Sequence, residues 1–151
     1  MHKAPSSAFA IVACSLLAGC AAMHPQVPRE SAQRTCEAGG NCAIDVRVAC
    51  ARFTGCELSI DADLVLVKGR GTRTDIVWRL TGDTATRFAI HGIGLDSSEF
   101  ECTPRAEGRE YACSDRHSDF GVFKYRVNVT VPEGAFGPRG VPSLDAWIVN
   151  D

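Results

Sequence analysis

The chain has 151 residues, with 16 Lys or Arg and 18 Asp or Glu, and its formal net charge at pH 7 is −2. This near-balance of charge does not favour a nucleic-acid partner, and we expect none. A chain of this length buries roughly two thirds of its unfolded surface in one core, so we expect a single domain.

The amino terminus has the pattern of an export signal. Lys3 supplies a positive charge, and residues 9–18 are apolar or small throughout. This run is about half of the roughly 20 residues that a transmembrane helix needs, and it is typical of the apolar region of a signal peptide. The pattern ends in Leu17, Ala18, Gly19 and Cys20.

These four residues resemble the lipobox of bacterial lipoproteins. In that family the cysteine thiol is alkylated with diacylglycerol, the chain is cut just before it, and the new amino terminus is usually acylated. The resemblance implies that residues 1–19 are a signal peptide and that Cys20 anchors the protein to a membrane. In this family an Asp directly after the lipidated cysteine retains the protein at the inner membrane. Here that position is Ala21, which implies that the protein is exported to the outer membrane, where we expect it on the periplasmic face. An ordinary signal peptide with a chance cysteine is the alternative.

The segment after the anchor has the composition of a linker. Residues 21–35 contain Pro25 and Pro28, are mostly polar, and show no apolar period. We predict that residues 20–35 are the lipidated cysteine and a flexible tether, and that residues 36–151 form the folded domain.

The cysteine count agrees with export to an oxidising compartment. Of eight cysteines, Cys14 lies in the predicted signal and Cys20 is the predicted anchor. An even set of six remains for disulfides: Cys36, Cys42, Cys50, Cys56, Cys102 and Cys113. Six cysteines allow 15 connectivities. Local loop closure favours 36 with 42, 50 with 56 and 102 with 113, while 36 with 50 and 42 with 56 stays open.

Short alternating runs broken by turn residues predict β-strands along the domain. The candidate strands are residues 42–50, 56–61, 64–67, 74–80, 86–93, 98–102, 109–113 and 121–131. In the last of these, Phe123, Tyr125 and Val127 alternate with polar residues, which predicts one apolar face and one solvated face. About eight such strands predict an all-β fold, an antiparallel β-sandwich of Ig-like or cupredoxin-like type.

One constellation suggests a metal site. His91, Cys113 and His117 are the residue types of a blue-copper centre, and the chain distantly resembles the cupredoxins, in which a Cys and the second His lie close together. Three features speak against copper. No Met follows His117, Cys113 has a disulfide partner available in Cys102, and binding copper through Cys113 would leave an odd thiol. We therefore expect no metal or other cofactor, with a copper protein as the alternative.

The sequence contains no convincing pattern of catalytic residues. His117, Ser118 and Asp119 are triad residue types, but adjacent residues point in different directions and the sequence has no Gly-x-Ser-x-Gly elbow. We expect the protein not to be an enzyme.

The carboxy-terminal third carries a second resemblance. The strand FKYRVNV and the tail PSLDAWIVND are similar to the ending of small exported β-proteins of proteobacteria. That resemblance implies a sandwich and no particular activity, with Trp147 and Ile148 docking the tail as core or edge. The sequence thus favours a non-catalytic binding or envelope-associated module, with a possible envelope protein as partner. An inhibitor or immunity-type lipoprotein is a further alternative.

Overall fold

The computed structural model describes residues 32–51, 55–83, 85–130 and 141–151. Its regular elements are ten strands and two short 3-10 turns, at Ala85–Arg87 and Ala106–Gly108. The strands are β1 (Gln33–Cys36), β2 (Asn41–Ala51), β3 (Gly55–Ile60), β4 (Leu64–Val67), β5 (Thr74–Leu80), β6 (Ala89–Leu95), β7 (Phe100–Arg105), β8 (Glu110–Asp115), β9 (Gly121–Thr130) and β10 (Leu144–Asn150). Among the described residues, no helix is long and apolar enough to cross a bilayer.

The strands form two five-stranded sheets, so the predicted all-β sandwich is confirmed. The first sheet has the order β1-β4-β10-β9-β6 and the second the order β3-β2-β5-β8-β7. Both sheets are mixed rather than wholly antiparallel, because β4 pairs in parallel with β1 and β10, and β2 pairs in parallel with β5. The chain passes from the second sheet to the first at residues 61–63, between β3 and β4.

The core lies between the sheets and follows the predicted alternation. On β9, Tyr125, Val127 and Val129 are buried, as are Ile76 and Trp78 on β5. The rings of Trp78 and Tyr125 meet edge to face with centroids 5.1 Å apart. Full burial of large side chains from both sheets is what excludes water from the sandwich, and it supplies most of the driving force for folding.

Several boundaries differ from the sequence-based expectations. β1 begins at Gln33, inside the segment predicted as tether, because its backbone pairs with β4 although its residues show no apolar period. β6 begins at Ala89 rather than at residue 86, since a 3-10 turn occupies residues 85–87. The tail forms β10 in the middle of the first sheet, where Ile148 is buried and Trp147 is half-buried on the outer face.

Three disulfides close the short loops that local closure favours. Cys50 with Cys56, and Cys102 with Cys113, are directly opposite on antiparallel strands with Cα atoms 4.0 Å apart. The third disulfide joins Cys36 to Cys42, with Cα atoms 5.5 Å apart, across the β1–β2 loop. The alternative pairing of 36 with 50 is therefore absent.

Candidate functional site

Four loops meet at one end of the sandwich, which we call the loop end. They are residues 37–40, 68–73, 96–99 and 116–120. The pairing registers align the last residues of β4 and β10 with the first residue of β9, and the last residue of β8 with the first residues of β5 and β7. Loops held by a rigid sandwich are a common place for binding residues.

A buried polar cluster lies beneath these loops. It consists of Thr74, Asp115, His117 and Asn150, each no more than 3% exposed. One Asp115 carboxylate oxygen accepts hydrogen bonds from the His117 N–H at 2.9 Å and from the Asn150 side-chain amide at 3.2 Å. Burial raises the pKa of Asp115, and these two hydrogen bonds offset part of that effect. The cluster joins β8 to the carboxy-terminal strand.

His117 connects the cluster to the loop above it. Its φ is 49°, a left-handed conformation that non-glycine residues adopt infrequently and at some energetic cost. The hydrogen bond from its N–H to Asp115 stabilises this turn. Its carbonyl accepts a hydrogen bond from the Gly71 N–H at 2.8 Å, which fastens residues 68–73 to residues 116–120.

Glu99 fastens a third loop to the same segment. Its carboxylate accepts hydrogen bonds from the Ser118 N–H, from the Ser118 hydroxyl at 2.8 Å and from the Asp119 N–H at 3.4 Å. Its carbonyl accepts a hydrogen bond from the Arg116 N–H at 3.0 Å. Burial acts to raise the pKa of Glu99, but the Ser118 and Asp119 hydrogen bonds outweigh it and the pKa is lowered.

The fourth loop, residues 37–40, packs tightly against residues 68–73. The Cys36–Cys42 disulfide closes it. Gly69 has a φ of +88° and lies so close to Ala38 that a side chain at position 69 would collide with it. Glycine is therefore required here for both conformation and space. All four loops are thus tied to one another or to a strand end.

An aromatic side chain is exposed at the loop end. Phe120 is 59% exposed, and the Arg70 guanidinium lies over its ring at 4.3 Å from the centroid. Arg70 also donates a hydrogen bond to the Ser118 carbonyl at 3.4 Å. Exposed aromatic and Arg side chains on a rigid support are the residue types that dominate protein interfaces.

The structure does not bring the predicted copper ligands together as a site. Cys113 is bonded to Cys102, His91 is exposed on β6, and His117 is fully buried. In the part of the chain that the structure describes, no three His, Cys, Asp or Glu side chains are arranged to hold a metal. Cys20 and Cys14 lie outside the described residues.

The triad types at 117–119 also lack a catalytic arrangement. His117 is fully buried, whereas Ser118 and Asp119 are exposed. Their roles in the structure are to form the hydrogen bonds that join the loops.

Sequence reasoning missed Thr74, Asp115, Asn150 and Phe120. The available signal was strand alternation, because Asp115 follows Cys113 by two residues on β8 and Asn150 follows Ile148 by two on β10. Polar residues at inward positions predict a buried polar cluster.

No protein-family model and no curated protein matches the chain. Among solved structures, the chain is distantly similar to a cysteine protease inhibitor from Entamoeba histolytica, with 14% identity and a TM-score of 0.32 over 78% of this chain and 93% of that chain. A similarity at this level assigns no function here.

Proposed function

We propose that the protein is a non-catalytic binding module, anchored through Cys20 to the periplasmic face of the outer membrane, and that the loop end is its binding surface. The observation that carries the proposal is the position of Phe120. It is the most exposed large hydrophobic side chain of the described residues, and it sits on a loop that buried groups hold in place.

Preorganisation is the physical argument for binding at this end. Immobilising a rotamer-rich side chain on association costs about 0.5–1.5 kcal/mol, and ordering a loop adds to that. Here Glu99, His117 and the Arg70–Phe120 stack already order the loops. A partner would therefore lose little of its binding energy to ordering this surface.

The chemistry of the surface favours a protein partner. Phe120 offers an apolar anchor and Arg70 a cation, a pair that fits an apolar pocket with an acidic rim. An envelope protein fits this description. An inhibitor or immunity role is the particular form of the same function in which the partner is a secreted hydrolase or toxin.

The anchor is tested by mass spectrometry of the mature amino terminus. We expect cleavage before residue 20 and acyl chains on Cys20, and we expect Cys20→Ser to release the protein from the membrane fraction. An unmodified soluble protein would contradict the anchor and leave the loop end to be tested separately.

The binding surface is tested by photo-cross-linking in intact cells. A photoreactive amino acid at position 120 is compared with one at Thr103, which is exposed on β7 away from the loop end. We expect a discrete adduct from position 120 alone, which disappears in the Arg70→Ala background. Identical adducts from both positions would show that the loop end is not the binding surface.

A further inference from the structure

The outer faces of the two sheets differ in chemistry. The outer face of the second sheet carries ion pairs, including Arg79–Asp45 at 2.6 Å and Arg105–Asp75 at 3.4 Å. The first sheet carries, beside the ion pairs of Asp145 with Lys124 and Arg126, an apolar stripe on its outer face, made of side chains that alternate with buried ones on β4, β9 and β10. The apolar stripe consists of Leu64, Leu66, Val122, Trp147 and Val149.

The register places these side chains side by side. Val149 pairs with both Val122 and Leu66, and Trp147 pairs with Leu64. Val122 is 39% exposed, which makes it the second exposed large hydrophobic among the described residues. A contiguous apolar strip on a folded domain commonly marks an interaction surface.

A polar depression adjoins the stripe on the same face. Its volume is about 480 Å³, and its lining includes Gly94, Asp96, Lys124, Arg126, Asn128 and Asp145. Gly94 contributes no side chain to the lining, and a Cβ there would lie in ordinary van der Waals contact with Arg126 and Asn128. Trp147 and Lys124 are paired residues, so the stripe and the depression share a border.

The charges of the depression are balanced. Asp145 accepts from Arg126 Nε at 2.7 Å and from Lys124 Nζ at 2.7 Å, and these two cations lower the pKa of Asp145 to about 2. Asp96 supplies a second carboxylate to the lining of the depression. Two cations and two carboxylates complement a ligand that carries one charge of each sign, whereas a purely anionic ligand would face both carboxylates.

A zwitterionic membrane lipid carries one charge of each sign on its head group and also has the apolar region that the stripe requires. Twelve residues lie between Cys20 and Gln33, so the chain spans at most about 45 Å from the anchor to β1. Gln33 pairs with Leu64, which pairs with Trp147, so the tether joins the domain at the edge of the apolar stripe.

We propose that the outer face of the first sheet binds a phospholipid with an amine-bearing zwitterionic head group, with phosphate at Lys124 and Arg126 and ammonium at Asp96 and Asp145. The apolar stripe then lies against the glycerol and upper acyl region. The proposal rests on the proposed function only for the presence of a membrane near the domain. It is tested on a protein that lacks the lipid anchor.

The test uses residues 20–151 with Cys20→Ser, which keeps the tether and every described residue but carries no acyl chain. Flotation is measured with vesicles of phosphatidylcholine alone, phosphatidylcholine with phosphatidylethanolamine, and phosphatidylcholine with phosphatidylglycerol. We expect the strongest binding with phosphatidylethanolamine, and little change between 50 and 300 mM salt because the site has no net charge. Preference for phosphatidylglycerol with steep salt dependence would overturn the assignment, as would absence of binding to all three.

Two variants on the first sheet, each with a matched control on the second, locate the binding face. The double substitution Lys124→Gln with Arg126→Gln, and separately the single substitution Val122→Ser, should each weaken vesicle binding about fivefold or more. The matched controls on the second sheet are Arg47→Gln with Arg79→Gln, and Val77→Ser, which should bind as the parent does. If the first-sheet variants and their second-sheet controls weakened binding equally, the proposal would be overturned. Melting curves of all variants separate loss of binding from loss of folding.

Discussion

Replacing Glu99 by Gln measures how much the loop end depends on one carboxylate. Glu99 is 5% exposed and accepts three hydrogen bonds from Ser118 and Asp119. Gln retains one acceptor oxygen and turns an NH₂ group toward the remaining donors. Hydrogen bonds to a charged group contribute about 1.5–3 kcal/mol each, but Ser118 and Asp119 are exposed enough for water to replace part of this. We expect a loss of about 2 kcal/mol in the free energy of unfolding at pH 7.

The pH dependence identifies the carboxylate as the cause. The folded-state pKa of Glu99 is lowered, so its contribution is present above the unfolded value of about 4.3 and disappears as pH falls through the folded value. The difference between parent and Glu99→Gln should therefore be largest at pH 7 and shrink below about pH 4.

The assay is urea unfolding at pH 7 and pH 3, followed by tryptophan fluorescence, to which the buried Trp78 and the half-buried Trp147 both contribute. Glu57→Gln, at an exposed position on β3, is the control and should change stability by less than about 0.5 kcal/mol. The same difference between parent and Glu99→Gln at both pH values would refute the reasoning, because a neutral packing effect does not titrate.

Four further predictions follow from burial and chemistry. Trp78→Ala removes a fully buried side chain from the core and should lower the free energy of unfolding by about 3–5 kcal/mol in urea titrations. Replacing Cys102 and Cys113 by Ser should lower it by about 3 kcal/mol, because the disulfide closes a sequence separation of 11 residues. Burial raises the pKa of Asp115, so the ionised carboxylate opposes folding and the parent loses stability as pH rises. The urea midpoint of Asp115→Asn should therefore rise relative to that of the parent between pH 4 and 7. Phe120→Ser should leave the melting temperature unchanged but abolish the partner adduct obtained with a photoreactive amino acid at Lys68, an exposed position of the loop end, and an unchanged adduct would remove Phe120 from the binding surface.

Strands with clear alternation were predictable from the sequence, and strands ordered by their neighbours were not. The β5 and β9 patterns, with Trp78 and Tyr125 facing inward, follow from a period of two that needs only one solvated face. β1 has no such period, and its order comes from pairing with β4. The parallel pairs were equally unpredictable, because they join strands such as β4 and β10 that are far apart in the chain.

The candidate site was less predictable than the fold. His117 stood out in the sequence as a possible ligand, but in the structure it is a buried residue that shapes a loop. Phe120 gave no signal, since one aromatic residue in a polar loop is as compatible with burial as with exposure. Its exposure is a property of the folded loop end, in which Arg70, distant in sequence, stacks on the ring.

The sequence by itself determined the all-β class and the inward residues of the most regular strands, and it favoured the disulfides that close short loops. All of these depend on periodicity or short separation along the chain, which a linear sequence records directly. Only the tertiary structure decided the mixed sheet order, the buried polar cluster beneath the loop end and the apolar stripe beside a charged depression. Each of these joins residues that are far apart in the chain, and their meeting is set by strand register and by the packing of one sheet on the other.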